Sequence, residues 1–225
     1  PKWGVTFELV KGNDPAAWAK ALSKPTKVVF IETPSNPLLD IVDIQMVSDL
    51  AHKVGATVIV DNVMASPILQ KPLQLGADVI MYSATKHMDG QGRILAGAIL
   101  GSFAYIHEHL LPFVRHTGPA LSPFNAWVLV KSLETMDMRV RRMSENALAI
   151  AEYLEKRREI KSVRYPGLPS HPEYALAQRQ MSGGGSTIGI EFAGTAKDAF
   201  KVMNALRIID ISNNLGDSKS LITHP

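Results

Sequence analysis

Short apolar runs alternate with segments whose apolar residues recur at helical spacing. The runs 28–32, 57–61, 77–82 and 95–100 are mostly apolar, and the first two end in a carboxylate; the segment 43–54 between those two places Ile44, Val47 and Ala51 on one helical face. Strands that are apolar throughout and separated by helices are typical of a parallel sheet covered on both faces. The pattern therefore predicts an α/β fold with a mostly parallel sheet.

The character of the chain changes near residue 122. A helix is predicted from about 138 to 158, followed by strands near 162–165, 187–192 and 208–211 and helices ending near 181 and 206. We expect a large domain over 1–137 and a smaller α/β domain over 138–225. The chain opens at 1–5 with strand-like residues and stops at 221–225 without a closing helix, so we expect both ends to be truncated.

The glycine run at 182–185 resembles a phosphate-binding loop only in composition. It lacks the lysine-serine ending and the helix that would use such a loop. We expect it to be a mobile connection.

Polar side chains collect where the predicted strands end. In open α/β sheets, ligands bind at the carboxyl ends of the strands. The residues at or just after these ends are Glu32, Asn36, Asp61, Ser83, Thr85 and Lys86. We expect them to face one crevice.

Lys86 is the candidate reactive group. A lysine can form a Schiff base with an aldehyde when burial or a nearby positive charge favours the neutral amine. Ser83 and Thr85 lie two residues apart, so in extended backbone both hydroxyls could bind one anion. Asp61 could pair with a protonated pyridine nitrogen. Together these residues favour pyridoxal phosphate; the alternatives are an exposed lysine and an aspartate in an Asx turn.

Composition excludes several other classes. The net charge of +3 is too small and too interspersed to indicate nucleic acid, and the basic cluster at 139–142 is interpreted as a solvated or interface face. No cysteine is present, and the seven histidines show no metal-ligand spacing, so no metal site is expected. No apolar run is long enough to span a membrane. We expect a cytoplasmic enzyme acting on a small molecule.

Three separated motifs carry a family resemblance. Glu32-Thr33-Pro34-Ser35-Asn36-Pro37, Val60-Asp61-Asn62 and Ser83-Ala84-Thr85-Lys86 occur in the order and spacing of the Cys/Met-metabolism enzymes, which are fold-type I pyridoxal phosphate proteins. The chain is similar to this family over essentially its whole length. The resemblance implies the PLP-transferase fold.

The resemblance also implies a role for each matching residue. Lys86 would hold the cofactor aldehyde and move protons, Asp61 would pair with the pyridine nitrogen, and Ser83 and Thr85 would bind the phosphate. Asn36 would lie near the cofactor's phenolic oxygen and the substrate carboxylate, with Glu32 in support. Asn213 and Asn214 match the segment that meets the substrate carboxylate. The family's other site residues would precede Pro1 or follow Pro225.

The residues after the lysine suggest an activity. Many family lyases and cystathionine synthases carry a histidine where this chain has Gln91. This pattern resembles the family members that transfer sulfide onto O-succinylhomoserine to give homocysteine in methionine biosynthesis. Cystathionine γ-synthase and methionine or cystathionine γ-lyase activities are the nearest alternatives; a cofactor-free aldolase and an inactive fragment or structural subunit are remote ones. The family implies a homotetramer, a dimer of dimers, with apolar contacts from residues such as 124–133.

Overall fold

The computed structural model describes residues 2–225 and contains one main sheet. Its strands are β1 (Val28–Glu32), β2 (Thr57–Asp61), β3 (Val79–Ser83) and β4 (Gly97–Gly101), in that spatial order. The first three are parallel, which confirms the predicted mostly parallel α/β sheet. β4 pairs antiparallel with β3. The residues between them, 84–96, form turns with no helix, so they return the chain instead of crossing over the sheet.

Helices accompany this sheet in chain order. They are α1 (Pro15–Ala21), α2 (Ile44–His52), α3 (Ser66–Leu69), α4 (Phe103–Tyr105), α5 (Leu111–Thr117), α6 (Pro123–Leu133), α7 (Met136–Glu155), α8 (Tyr174–Gln180) and α9 (Ala196–Ala205). A π-helical turn covers Ile106–Leu110, and 3₁₀ turns cover Lys2–Gly4 and Pro72–Leu75. The opening residues, which were expected to be strand-like at 1–5, therefore do not form a strand within the described part of the chain. Pro1 lies outside the described residues.

One face of the sheet is well covered. Asp14 and Asp43 cap the amino ends of α1 and α2 by accepting backbone N–H bonds, as short polar residues do at such positions. Both helices then pack on β1 and β2. The buried cluster comprises Trp18, Leu22, Val29, Ile31, Ile44, Val47, Ala51, Ala56, Val58, Val60 and Ala77. On β3, the same face packs against α7 through Met136 and Val140.

The opposite face is open at β1. Val28 and Phe30 lie on that face and are about half exposed. Within residues 2–225, no helix covers this face of β1. Glu32 lies on the same face as these two residues, because side chains two positions apart along a strand point the same way.

The C-terminal part builds on α7. The first half of this helix packs on the main sheet, and its second half packs through Ala147 and Ala151 against Tyr165 and Leu168. Two small sheets follow: β5 (Ile160–Arg164) with β6 (Gly189–Phe192), antiparallel, and β7 (Asp210–Ile211) with β8 (Leu221–Ile222), parallel. The predicted domain boundary at 137/138 falls in the first turn of α7. None of the described helices is long and apolar enough to cross a membrane.

The glycine run is packed, which contradicts the expected mobile connection. The hydroxyl of Tyr165 donates to the carbonyl of Gly185 at 3.0 Å, and the backbone N–H of Ser182 donates to the carbonyl of Leu69 at 2.8 Å. A Cβ on Gly184 would lie 2.5 Å from Tyr165 Cζ. Glycine is required here by close packing against a buried ring.

Candidate functional site

Two carboxylates end neighbouring strands. Glu32 and Asp61 are register partners at the carboxyl ends of β1 and β2, and Asp61 also pairs with Met81 of β3. Ser83 ends β3 on the same face as Met81. The structure therefore brings Glu32, Asp61 and Ser83 to one edge of the sheet, as the sequence predicted.

The pKa values of the two carboxylates are raised because both groups are partly buried and neither has a cationic partner among the described residues. Burial raises the pKa of Asp61, and the backbone N–H of Val63, bound at 3.0 Å, offsets part of that rise. Burial also raises the pKa of Glu32, and the Asp61 carboxylate adds to the rise, whereas the backbone of Asn36 lowers it. Neither carboxylate forms an ion pair within residues 2–225. The bond to Val63 is the Asx turn considered from the sequence, so Asp61 makes that turn while keeping an unneutralised charge.

Lys86 lies in a tight turn directly after β3, at residues 84–90, which we term the Lys86 turn. The backbone N–H of Lys86 donates to Ser83, and that of Gly90 donates to Lys86. Ser83 ends β3 and Thr85 lies in the turn, so the extended backbone considered for these two residues does not continue to Thr85. The Thr85 hydroxyl instead accepts the backbone N–H of Ala96 at 3.0 Å.

The amine of Lys86 has one side-chain partner in the described chain. Its Nζ donates to Oδ1 of Asn214 at 2.9 Å, across 128 positions of sequence. Asn214 is half-buried, whereas Asn213 is exposed. The sequence marked this segment as a neighbour of the substrate carboxylate and missed the contact of Asn214 with the lysine.

Asn36 lies in an exposed position on the loop 33–40, which we term the Asn36 loop. Three contacts from the C-terminal part hold this loop. Arg164 Nε donates to the carbonyl of Leu38 at 2.7 Å, an Arg164 Nη2 pairs with Asp40, and His171 Nε2 lies 3.1 Å from the carbonyl of Leu39. The structure places no contact between Asn36 and Lys86.

A buried amide network supports the strand ends, and the sequence analysis did not find it. The Asn62 side chain donates to the hydroxyl of Tyr82 at 2.9 Å and accepts from Gln70 at 2.7 Å. Gln70 also donates to the carbonyl of Thr33 and accepts from Gln180 of α8. This network joins the Asn36 loop, the end of β2 and α8. Amides that are satisfied by each other leave no periodic signal in the sequence.

Arg139 corrects the interpretation of the basic cluster. Its guanidinium donates to the backbone carbonyls of His87 at 3.0 Å and Ser132 at 2.9 Å, so this residue fixes the Lys86 turn instead of facing solvent. Arg141 and Arg142 do face solvent and pair with carboxylates of α7. The signal was available, because Arg139 lies three residues after buried Met136 and one before buried Val140.

These groups together fit a phosphorylated pyridine aldehyde. An amine for the aldehyde lies at Lys86, and Ser83 lies at the strand end close to it in sequence. The half-buried carboxylate of Asp61 has no ion pair within residues 2–225 and lacks the cation that a protonated pyridine nitrogen would provide. No group of three or more potential metal ligands is found within residues 2–225.

Comparison with known proteins gives the same result. The pattern of the Cys/Met metabolism PLP-dependent enzymes matches residues 1–225. The chain is 54% identical over 229 residues to an O-succinylhomoserine sulfhydrylase of Mycobacterium tuberculosis, covering all of this chain and 56% of that protein. It is 45% identical over 224 residues to an O-succinylhomoserine sulfhydrylase of Pseudomonas aeruginosa, covering all of this chain and 55% of the relative.

A solved structure agrees in fold. Cystathionine gamma synthase from Xanthomonas oryzae pv. oryzae, in complex with aminoacrylate and cysteine, superposes with a TM-score of 0.93 at 40% identity. The match covers 96% of this chain and 56% of the other. This chain thus spans little more than half the length of the proteins it matches.

Proposed function

This chain belongs to the Cys/Met-metabolism family of pyridoxal-phosphate-dependent enzymes, and from that premise we propose that the intact protein is an O-succinylhomoserine sulfhydrylase. It would join sulfide to the γ carbon of O-succinylhomoserine and release succinate, giving homocysteine. In the overall reaction the C–O bond to succinate breaks and a C–S bond then forms at the same carbon, and the proton lost by hydrogen sulfide balances the released succinate. The observation that carries the proposal is the unpaired Asp61 carboxylate one strand from Lys86, in a chain 54% identical to a sulfhydrylase.

The residues that would hold pyridoxal phosphate are those at the strand ends. Lys86 would take the aldehyde, Asp61 the pyridine nitrogen, and Ser83 and Thr85 the phosphate. Asn36 would lie near the phenolic oxygen, with Glu32 in support. When bound, the cofactor supplies an electron-withdrawing ring that makes the carbons beside the substrate amine acidic.

The remaining chemistry belongs to the protein. The Asp61 carboxylate would keep the proton on the ring nitrogen, which gives its buried charge a partner. The Lys86 amine would carry protons to and from the substrate carbons, and Asn214 Oδ1, at 2.9 Å, would orient that amine. Asn213 and Asn214 would also meet the substrate carboxylate.

Cystathionine formation is the second candidate, and γ-elimination the third, on the same scaffold. The structural likeness to a cystathionine synthase supports keeping the second. We would incubate the intact protein and O-succinylhomoserine with sulfide, with cysteine or with no thiol, and analyse the products. We expect homocysteine with sulfide and little turnover without a thiol. Preferential cystathionine, or 2-oxobutyrate without a thiol, would contradict the sulfhydrylase assignment.

Replacement of Lys86 tests the cofactor site directly. Borohydride reduction of the loaded protein should fix pyridoxal phosphate covalently on the peptide that contains Lys86, as read by mass spectrometry. Lys86→Ala should lose this label and reduce turnover by roughly 10⁴-fold or more. Lys131→Ala is the control, since Lys131 is exposed and pairs only with Glu134. Retained labelling in Lys86→Ala would assign the aldehyde to another lysine.

Assembly and location are further parts of the proposal. Phe124 and Trp127 of α6 are 70% and 59% exposed, and Val130 continues the same stripe. Such a stripe supports burial between subunits. We propose a homotetramer built as a dimer of dimers, acting in the cytoplasm, with the large domain at 1–137 and the smaller one at 138–225. Light scattering of the intact protein would test the assembly.

A further inference from the structure

His87 follows Lys86 and is almost completely buried, with 3% of its surface exposed. Its Nε2 lies 2.8 Å from the hydroxyl of Ser186, which directly follows the packed glycine run. Its backbone carbonyl accepts the bond from Arg139 described above. This ring thus ties the Lys86 turn to a segment 99 positions away in the sequence.

The His87 ring is neutral. Burial lowers the pKa of His87 to about 4, with the backbone of Val63 opposing the fall and the charges of Arg139 and Lys86 adding to it. Nδ1 has no hydrogen-bond partner in the described chain. Nε2 and the Ser186 hydroxyl share one hydrogen bond, in which either group can donate.

Gly216 covers this ring on its other side. A Cβ on Gly216 would lie 2.6 Å from His87 N and 2.8 Å from His87 Cγ, and its backbone φ is +70°. Only glycine allows so close an approach with that backbone conformation. The next contact along the segment is a bond from the backbone N–H of Ser218 to the carbonyl of Gly90, at 2.8 Å.

The same segment carries the partner of the reactive amine. Asn214 lies two residues before Gly216, and its Oδ1 accepts from Lys86 Nζ. The ring that Gly216 covers belongs to the residue after Lys86. The position of the Asn214 amide relative to the amine is therefore set through His87.

We propose that His87 is a positioning residue, whose neutral ring, bound to Ser186 and covered by Gly216, holds Asn214 against the amine of Lys86. The proposal rests on the proposed function in one respect, namely that Lys86 is the reacting amine. His87 itself does not contact the substrate carbons. Loss of the His87 ring would leave Lys86 in place but release the Asn214 amide that orients its amine. Misplacement of this kind lowers the catalytic rate more than it weakens substrate binding.

The test compares His87→Phe, His87→Gln and Asn214→Ala in the intact protein. Phe keeps the ring and removes the bond to Ser186, whereas Gln can still reach the hydroxyl. We expect His87→Phe and Asn214→Ala each to lower kcat by roughly tenfold to a hundredfold, with KM changed less than about threefold. His87→Gln should recover most of the rate. The double variant should be no slower than Asn214→Ala, because both changes remove one interaction.

A second readout needs no cofactor. In the apoprotein, the rate at which an acylating reagent labels Lys86, measured by peptide mass spectrometry, should change equally in His87→Phe and Asn214→Ala. His116→Phe is the matched control, because His116 is an exposed histidine of α5. If His87→Phe does not fold, Ser186→Ala removes the same bond and should shift labelling in the same direction.

The outcomes separate this inference from the proposed function. An inactive wild-type protein with equal labelling changes would overturn the function and keep the positioning role. Wild-type activity with unchanged labelling and kcat in His87→Phe, or rate losses that add in the double variant, would overturn the positioning role. Folded Ser186→Ala with unchanged labelling would do the same.

Discussion

The Lys86 turn and the Asn36 loop carry opposite sides of the candidate site, and the C-terminal part holds each of them differently. Contacts that lie mostly away from the surface secure the turn: the amide of Asn214, the hydroxyl of Ser186, the backbone of Gly216 and the Arg139 guanidinium on the carbonyl of His87. A partly exposed charged side chain secures the loop, since Arg164 reaches Asp40 and the carbonyl of Leu38. The side chains of Arg164 and Asp40 are 35% and 44% exposed.

This difference predicts a different response to the solution. Ion pairs near the surface weaken as salt is added, whereas contacts away from the surface are screened much less. The Lys86 turn should thus keep its geometry over a wide range of salt, while the Asn36 loop should loosen. The turn that carries Lys86, the residue that would react, is therefore the more rigid segment. The loop that carries Asn36, which would meet the substrate and the edge of the cofactor, is the more adaptable one.

Asp61 lies between the two segments, and its substitution should have a larger effect than substitution of Gly184 or Arg164. Asp61→Asn should lower turnover by roughly 100-fold or more, because the ring nitrogen loses its anionic partner. The stability of the apoprotein, in contrast, should not fall in this variant. Since burial raises the Asp61 pKa, folding favours the protonated form, and this contribution to the free energy of unfolding falls as pH rises above about 4.

Asp61→Asn removes that slope, so at pH 8 the variant apoprotein should unfold at the same denaturant concentration as wild type or a higher one. Urea titrations at pH 5 and pH 8 check the sign. Asp49→Asn, an exposed change on α2, is the control. A variant that is active but less stable at pH 8 would show that Asp61 is a structural anion with its own stabilising partner.

Gly184→Ala should have the next largest effect and acts on the support of the Lys86 turn alone. The new methyl would lie 2.5 Å from Tyr165 Cζ and 2.7 Å from the backbone nitrogen of Gly167, so ring or backbone must shift. We expect a loss of about 2–3 kcal/mol in the free energy of unfolding. Gly97→Ala is the matched control, because its methyl would meet only Tyr82 O at 3.7 Å. Equal stability of the two variants in urea would refute the close packing.

Local pattern predicted the strands and the ends at which functional groups collect. The bounds of β1 and β2 agree with the predicted runs 28–32 and 57–61, and the capping aspartates mark the helix starts. These features depend on neighbours in the chain. Asp61 and Lys86 were found for the same reason, since each follows an apolar run that ends at the same edge.

Contacts between distant segments could not be predicted. The bond of Lys86 to Asn214 and the packing of Gly184 on Tyr165 depend on tertiary approach, which composition does not show. The glycine run at 182–185 was expected to be flexible from its composition. The sequence does not show that the ring of Tyr165 occupies the space that a side chain at Gly184 would fill. The direction of β4 was missed for a related reason: an apolar run shows a strand without showing its partner.

Arg164→Gln should have the smallest effect and tests the charged hold on the Asn36 loop. Glutamine removes the charge beside Asp40 and the guanidinium bond to the carbonyl of Leu38. We expect a loss of about 1 kcal/mol at low salt, shrinking as salt weakens the ion pair in wild type. Arg141→Gln, which breaks only an exposed pair with Asp137, should change stability by less than about 0.5 kcal/mol. If the stability loss in Arg164→Gln did not change with salt, the bond of Arg164 to the carbonyl of Leu38 would be the main hold, and the ion pair with Asp40 would not distinguish the loop from the turn.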